Sequence, residues 1–212
     1  MRWCILLAMT LDTTWIIFAL PSIIIASGVH EFAHAFAAFK LGDATAKANG
    51  RMTINPLAHI DLLGVLSMIF FRFGWSKPVP INEYNFANRR LGTALTALAG
   101  PFSNLLLLLL AALLNCIFKP ELGSMLQLFL LIFAIVNCAL AVFNLIPIPP
   151  LDGHKIVRGL LPKKPSYYWD DLENYSVILI VLLVIPVFPF GSIASLIIST
   201  AVNGIIDILG FY

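Results

Sequence analysis

Residues 15–41 read WIIFALPSIIIASGVHEFAHAFAAFKL, and the fold turns on this stretch. As a helix it is roughly 40 Å long, enough to cross the hydrocarbon core of a bilayer with some tilt. Pro21 and Gly28 interrupt it, a combination that membrane helices tolerate. Inside it sits His30-Glu31-Phe32-Ala33-His34. Residues i and i+4 share one helix face about 6 Å apart along the axis, so both imidazoles can reach one Zn2+ ion, and Glu31 falls where it can act as a general base on a nearby water. That chemistry suits hydrolysis of an amide bond. By composition a chance H-E-x-x-H is expected on the order of once in a thousand such chains. As simple interhelical glue, the trio would place three ionisable groups at lipid depth, each at a cost in free energy.

The rest of the chain has the same character. Of 212 residues 60% are hydrophobic and only 11% charged, with a mean hydropathy of +0.94. Soluble domains carry about 25% charged residues, so the chain's partner is the lipid bilayer. A formal charge of +2, with its charges clustered between apolar runs, excludes nucleic acid as a primary partner. Residues 91–118 and 124–148 are each long enough to span and are joined by a tight hairpin, which makes them antiparallel neighbours. A polar segment, 152–173, follows the prolines at 147, 149 and 150; the last apolar region, from Tyr175, is split by Pro186, Pro189 and Gly191. Cys4, Cys116 and Cys138 lie singly in apolar stretches and suggest neither a disulfide framework nor a zinc site. The segment 3–11 reads as an uncleaved interfacial or half-inserted piece.

Lysine and arginine positions set the topology. Eleven of the thirteen fall in three groups: Lys40, Lys47 and Arg51; Arg72, Lys77, Arg89 and Arg90; Lys155, Arg158, Lys163 and Lys164. If all three groups face the cytoplasm, the ten apolar residues 62–71 must dip into the membrane and return on the same side. Such an element needs protein or a water-filled cavity around it, and so borders an active site or pore. The stretches 50–55 and 77–81 beside it alternate like short strands. The expected fold is therefore an all-α polytopic membrane protein with about five to six transmembrane helices and a short re-entrant, partly β element after the first span. It forms a single integral membrane domain over residues 1–212, with its active site toward the cytoplasmic side of the cell membrane.

A catalytic zinc needs a third protein ligand and an open position. Asp152 is the candidate, because two crossings from the cytoplasmic end of the first span return the chain to that side at Asp152. His59 and His154 are rivals, the first in the loop after Pro56 and the second two residues past Asp152. Asn104 and Asn144 are amides inside apolar helices. Each is either interhelical glue or a contact to a substrate backbone or oxyanion; packing is favoured for Asn104, and Asn144 is open between the two. Asn137 reads as glue.

Several further motifs stand in order along the chain: Gly42-Asp43, Gly50-Arg51, Asn55-Pro56-Leu57, Gly74-Trp75-Ser76-Lys77-Pro78-Val79-Pro80, Ala99-Gly100-Pro101-Phe102-Ser103-Asn104, Phe143-Asn144-Leu145-Ile146-Pro147 and Leu151-Asp152-Gly153. Together with the His30–His34 motif they resemble the site-2 proteases, the M50 class of intramembrane zinc metalloproteases, in a compact form without PDZ or CBS domains. The resemblance implies one catalytic Zn2+ ion held by His30, His34 and Asp152, with Glu31 as catalytic base. It also implies a transmembrane protein or peptide as substrate, cut in regulated intramembrane proteolysis. Three other readings compete: a Ste24-like zincin, which would want a glutamate ligand on a later helix; a zinc or proton transporter, which would want ligands on both sides of the midplane; and a membrane scaffold with no turnover.

Overall fold

The computed structural model describes residues 13–61, 64, 76–162, 168–186 and 191–211. Three long helices dominate: α1 (Thr13–Lys40), then α3 (Arg89–Phe118) and α4 (Met125–Leu145), each with a stretch long and apolar enough to cross a membrane. A single turn, α2 (Thr45–Ala48), follows α1. The helices α5 (Asp152–Leu160), α6 (Ser176–Val184) and α7 (Ile193–Ile208) follow.

Burial along α1 follows one face. Ala19, Ser22, Ala26, His30, His34 and Ala38 recur every three or four residues and are all buried. Small residues on this stripe let neighbouring backbones come close, which is how helices pack when lipid supplies no hydrophobic contrast. The opposite faces are apolar and open. Ile16, Ile17, Leu20 and Ile25 on α1, and Leu91, Leu95, Leu98, Phe102, Leu106, Leu109, Leu113 and Ile117 on α3, are exposed. Two such stripes on a water-soluble protein would be adhesive patches; facing acyl chains they are solvated. The protein is a membrane protein.

Helices α1, α3 and α4 pack on one another, and α7 closes against α4. Leu108 and Ala111 of α3 meet Leu130, Phe133, Ala134 and Cys138 of α4 and Val202 and Ile206 of α7 in the largest core cluster. Asn88 caps α3 by accepting from the Leu91 N–H, and Ser124 caps α4 by accepting from the Gln127 N–H. Both spans thus start at polar caps, as expected for segments entering lipid from water.

His34 meets Thr96 near the start of α3, and His30 meets Asn104 two turns further along it, so α1 and α3 run antiparallel. The link from residue 41 to residue 88 therefore begins and ends at one end of the bundle. Because α4 returns to that end, Asp152 opens α5 beside the end of α1.

One expectation changes. Among the described residues no strand forms: 50–55 and 77–81 are irregular connections. The reason lies in their donors. Pro78 and Pro80 have no N–H, and the intervening donors are already committed, Lys77 N–H to the His59 carbonyl and Val79 N–H to Glu31. A ladder has nothing left to pair with on that edge. The expected re-entrant segment, 62–71, lies outside the described residues except for Gly64. The last apolar region is split where Pro186, Pro189 and Gly191 predict, into helices of 9 and 16 residues, each shorter than a full span.

Candidate active site

Helical spacing stacks His30 over His34 on the buried face of α1, with ring centroids 4.5 Å apart and ring planes at 88°. Two rings in that arrangement need room on the facing helix, and Gly100 of α3 provides it. A Cβ at residue 100 would lie 2.4 Å from His34 Nε2 and 2.6 Å from His30 Cε1. The third group comes from the turn after α4. Pro147, Pro149 and Pro150 end the helix, and Gly153 allows the new one to start against it, since a Cβ there would lie 2.4 Å from the Leu145 carbonyl oxygen. Asp152, the first residue of α5, then turns inward and is buried.

The three side chains converge. Asp152 Oδ2 is 3.1 Å from both His30 Nε2 and His34 Nε2, and the two Nε2 atoms are 3.0 Å apart. On the outer side of each ring, His34 Nδ1 lies 2.7 Å from the Thr96 carbonyl oxygen and His30 Nδ1 lies 2.7 Å from Asn104 Oδ1. Both outer partners are acceptors, so each Nδ1 carries the proton and each Nε2 presents a lone pair. Three acceptors then face one another with no donor between them, an arrangement that a cation relieves. Tetrahedral zinc with bonds of roughly 2.0–2.1 Å places its ligand atoms about 3.3 Å apart, close to the separations seen here. His30, His34 and Asp152 form the one group among the described residues whose ligand atoms lie close enough together to hold a metal ion. The donor set fits zinc.

Glu31 is buried and points to the segment after the expected re-entrant element. Its Oε1 accepts from the Ser76 hydroxyl at 2.7 Å and its Oε2 from the Val79 N–H at 3.1 Å. That segment is itself held down. Arg51 donates to the Lys77 carbonyl at 2.8 Å, and Asp43, fully buried after α1, accepts from the Asn82 N–H at 2.8 Å, from the Asn85 amide at 2.7 Å and from the N–H and hydroxyl of Thr45. Burial alone would raise the Asp43 pKa, but these donors outweigh it and hold the carboxyl below its ordinary value. Asp43 is thus an ionised strut under the strap that holds Glu31.

Of the other candidates, His59, His154 and Asn144 bond elsewhere, and Asn104 alone joins the cluster. His59 donates from Nε2 to the Thr53 carbonyl at 2.9 Å, which ties the 53–59 loop. His154 stacks on Trp169 with ring centroids 5.4 Å apart and bonds the Trp169 carbonyl. Asn144 donates to the Leu140 carbonyl of its own helix. Asn104 is fully buried and touches His30. Reading the chain as a sequence missed Ser76, Val79, Thr96 and Gly100 as partners of the site. Ser76 and Val79 stood in a quoted motif, but nothing in their residue types announces Glu31 as their acceptor.

Peptidase family M50 matches at residues 117–185. A Bacillus subtilis protein named "Putative zinc metalloprotease YwhC" is 38% identical over 178 residues, which cover 81% of this chain and 80% of that protein. Rip2 of Mycobacterium tuberculosis, similarly named, is 28% identical over 73% of this chain and 61% of its own length. MJ0611 of Methanocaldococcus jannaschii, again named as a zinc metalloprotease, is 31% identical over 68% of this chain and 71% of its own. No solved structure matches. The extent of the likeness to the Bacillus protein, with the family match running through the Asp152 turn, shows that this chain belongs to peptidase family M50, a family of zinc metalloproteases.

Proposed function

We propose that the chain is an intramembrane endopeptidase that hydrolyses peptide bonds in or near the transmembrane segments of other membrane proteins, as a step of regulated intramembrane proteolysis. The observation that carries this reading is the convergence of His30 Nε2, His34 Nε2 and Asp152 Oδ2, 3.0–3.1 Å apart, inside a bundle of membrane helices. In it His30, His34 and Asp152 hold one Zn2+ ion, and residues 1–212 act as one domain. When bound, zinc supplies Lewis-acid polarisation of a carbonyl and lowers the pKa of water at the site. Glu31 takes the proton of the attacking water and delivers it to the leaving amine. Ser76 and Val79 hold its two oxygens in place while leaving each a lone pair for that exchange. Asn104 acts through His30, and Asn144 is the residue we assign to contact with the substrate backbone.

The substrate is a transmembrane helix that unwinds locally, since its own turn shields a helical peptide bond. Purified protein reconstituted with a transmembrane reporter should release two fragments whose masses place the cut within or next to the apolar segment. A zinc chelator should stop the reaction and added zinc restore it. Zinc-loaded protein that cuts no transmembrane reporter would overturn the reading.

We also propose that the site faces the cytoplasm, that 62–71 is re-entrant and that the transmembrane helices number about five to six. Supporting this, Lys40, Arg89, Arg90, Lys155 and Arg158 gather at the bundle end that carries His34 and Asp152. Cysteines introduced at Ala48 and Asn88, with the three native cysteines removed, should both react with a membrane-impermeant reagent from the cytoplasmic face. Labelling from opposite faces would exclude the re-entrant topology.

A further inference from the structure

The amide of Asn137 lies in the middle of α4 and is completely buried. Its direction is fixed at one end: Nδ2 donates to the Phe133 carbonyl of its own helix at 2.9 Å. Its oxygen therefore faces α3, where it accepts from Asn104 Nδ2 at 3.0 Å. The second N–H of Asn104 goes to the Ala26 carbonyl of α1 at 3.2 Å. With both amide hydrogens spent, Asn104 can offer His30 only its oxygen, 2.7 Å from Nδ1. The side chains of three helices thus form one directed chain of hydrogen bonds.

We infer that Asn137 is a positioning residue for metal binding: by fixing the orientation of the Asn104 amide it fixes the tautomer of His30, so that the Nε2 lone pair points at the Zn2+ site. The inference rests on the proposed reading of His30 as a zinc ligand and extends it to a residue two bonds away. Without the Asn137 acceptor one N–H of Asn104 is left unpaired, and only the Ala26 carbonyl still opposes a turn of the amide that brings its NH2 toward His30. In an amide so turned, Nδ1 accepts, the imidazole proton moves to Nε2, and it points at the atoms that should hold the metal.

A protonated aspartic acid has one O–H donor and one carbonyl acceptor on the same frame as asparagine. An ionised one still accepts from Asn104. Asn137→Asp should therefore preserve the direction of the chain, whereas Asn137→Leu keeps the branched shape and removes it. The measurement is zinc affinity of the full chain in detergent by chelator competition, the visible absorption of the cobalt-substituted protein, and thermal unfolding of each metal-free variant. Asn137→Leu should lose about 10–100-fold in zinc affinity, as outer-shell partners of metal ligands do, with an altered cobalt spectrum. Asn137→Asp should match wild type in both. If the leucine variant does not fold, Asn137→Ala carries the same comparison. Wild-type zinc affinity in the leucine or alanine variant would overturn the inference, and so would equal losses in the leucine and aspartate variants, which would indicate packing alone. His30→Ala separates the two levels. If it retains zinc, the ligand reading itself fails; if it loses zinc while Asn137→Leu does not, only the relay fails.

Discussion

Glu31→Gln should lower cleavage of a transmembrane reporter by about 10²–10⁴-fold, the range for loss of a general base, and leave zinc content near wild type. The substitution isolates the chemistry because the surroundings accept it. Glutamine keeps one oxygen, which can face the Val79 N–H that Glu31 Oε2 now accepts from. Its NH2 then meets the Ser76 hydroxyl, which rotates from donor to acceptor. Both contacts survive, the metal-facing side chains are untouched, and only the ability to take a proton is gone. Turnover and bound zinc measured on the same preparation decide it. A variant that cleaves as fast as wild type would rule out Glu31 as the base.

Gly100→Ala should abolish zinc binding, a loss larger than the roughly 10–100-fold that outer-shell substitutions cost. The added methyl would come within 2.4 Å of His34 Nε2 and 2.5 Å of His34 Cε1, well inside van der Waals contact. Neither ring can step aside freely. His34 is held at Nδ1 by the Thr96 carbonyl and His30 by Asn104, so one ring must give up its partner or its aim. Alanine's gain in helix propensity over glycine, about 1 kcal/mol, is offset by overpacking that costs about 1–3 kcal/mol, so unfolding at or somewhat below the wild-type temperature, with no bound zinc, is the expected signature. Zinc binding at wild-type strength in this variant would show that the ring arrangement is not what Gly100 protects.

The parts of this molecule that repeat along one helix could be read before any coordinates. The spacing of His30 and His34 places them on one face by geometry alone, and counting crossings brings Asp152 back to the same end. The three long apolar runs correspond to α1, α3 and α4, with α4 stopping at Leu145, short of the expected 148, because prolines follow. What escaped depends on contacts across elements. Val79 alternates like a strand residue, yet its N–H is spent on a carboxylate 48 positions away, and the prolines on either side leave no ladder to build. From the sequence Asn104 reads mainly, and Asn137 wholly, as glue; the direction of each amide, which depends on neighbours from other helices, is what ties them to His30. Gly100 gave no sign of its task, because the atoms it makes room for lie on a different span.

The three groups that converge on the site are contributed late and early in synthesis: Asp152 follows His34 by 118 residues, with two long helices between them. A ribosome making this chain delivers the histidine pair to the bilayer first and completes the cluster only after α3 and α4 have been inserted and packed. On the proposed reading, a truncated or stalled product lacks the third ligand and is no hydrolase, so the membrane is not exposed to a half-made protease during biogenesis. The order of the ligands along the chain works as a built-in safety catch, released when assembly is complete.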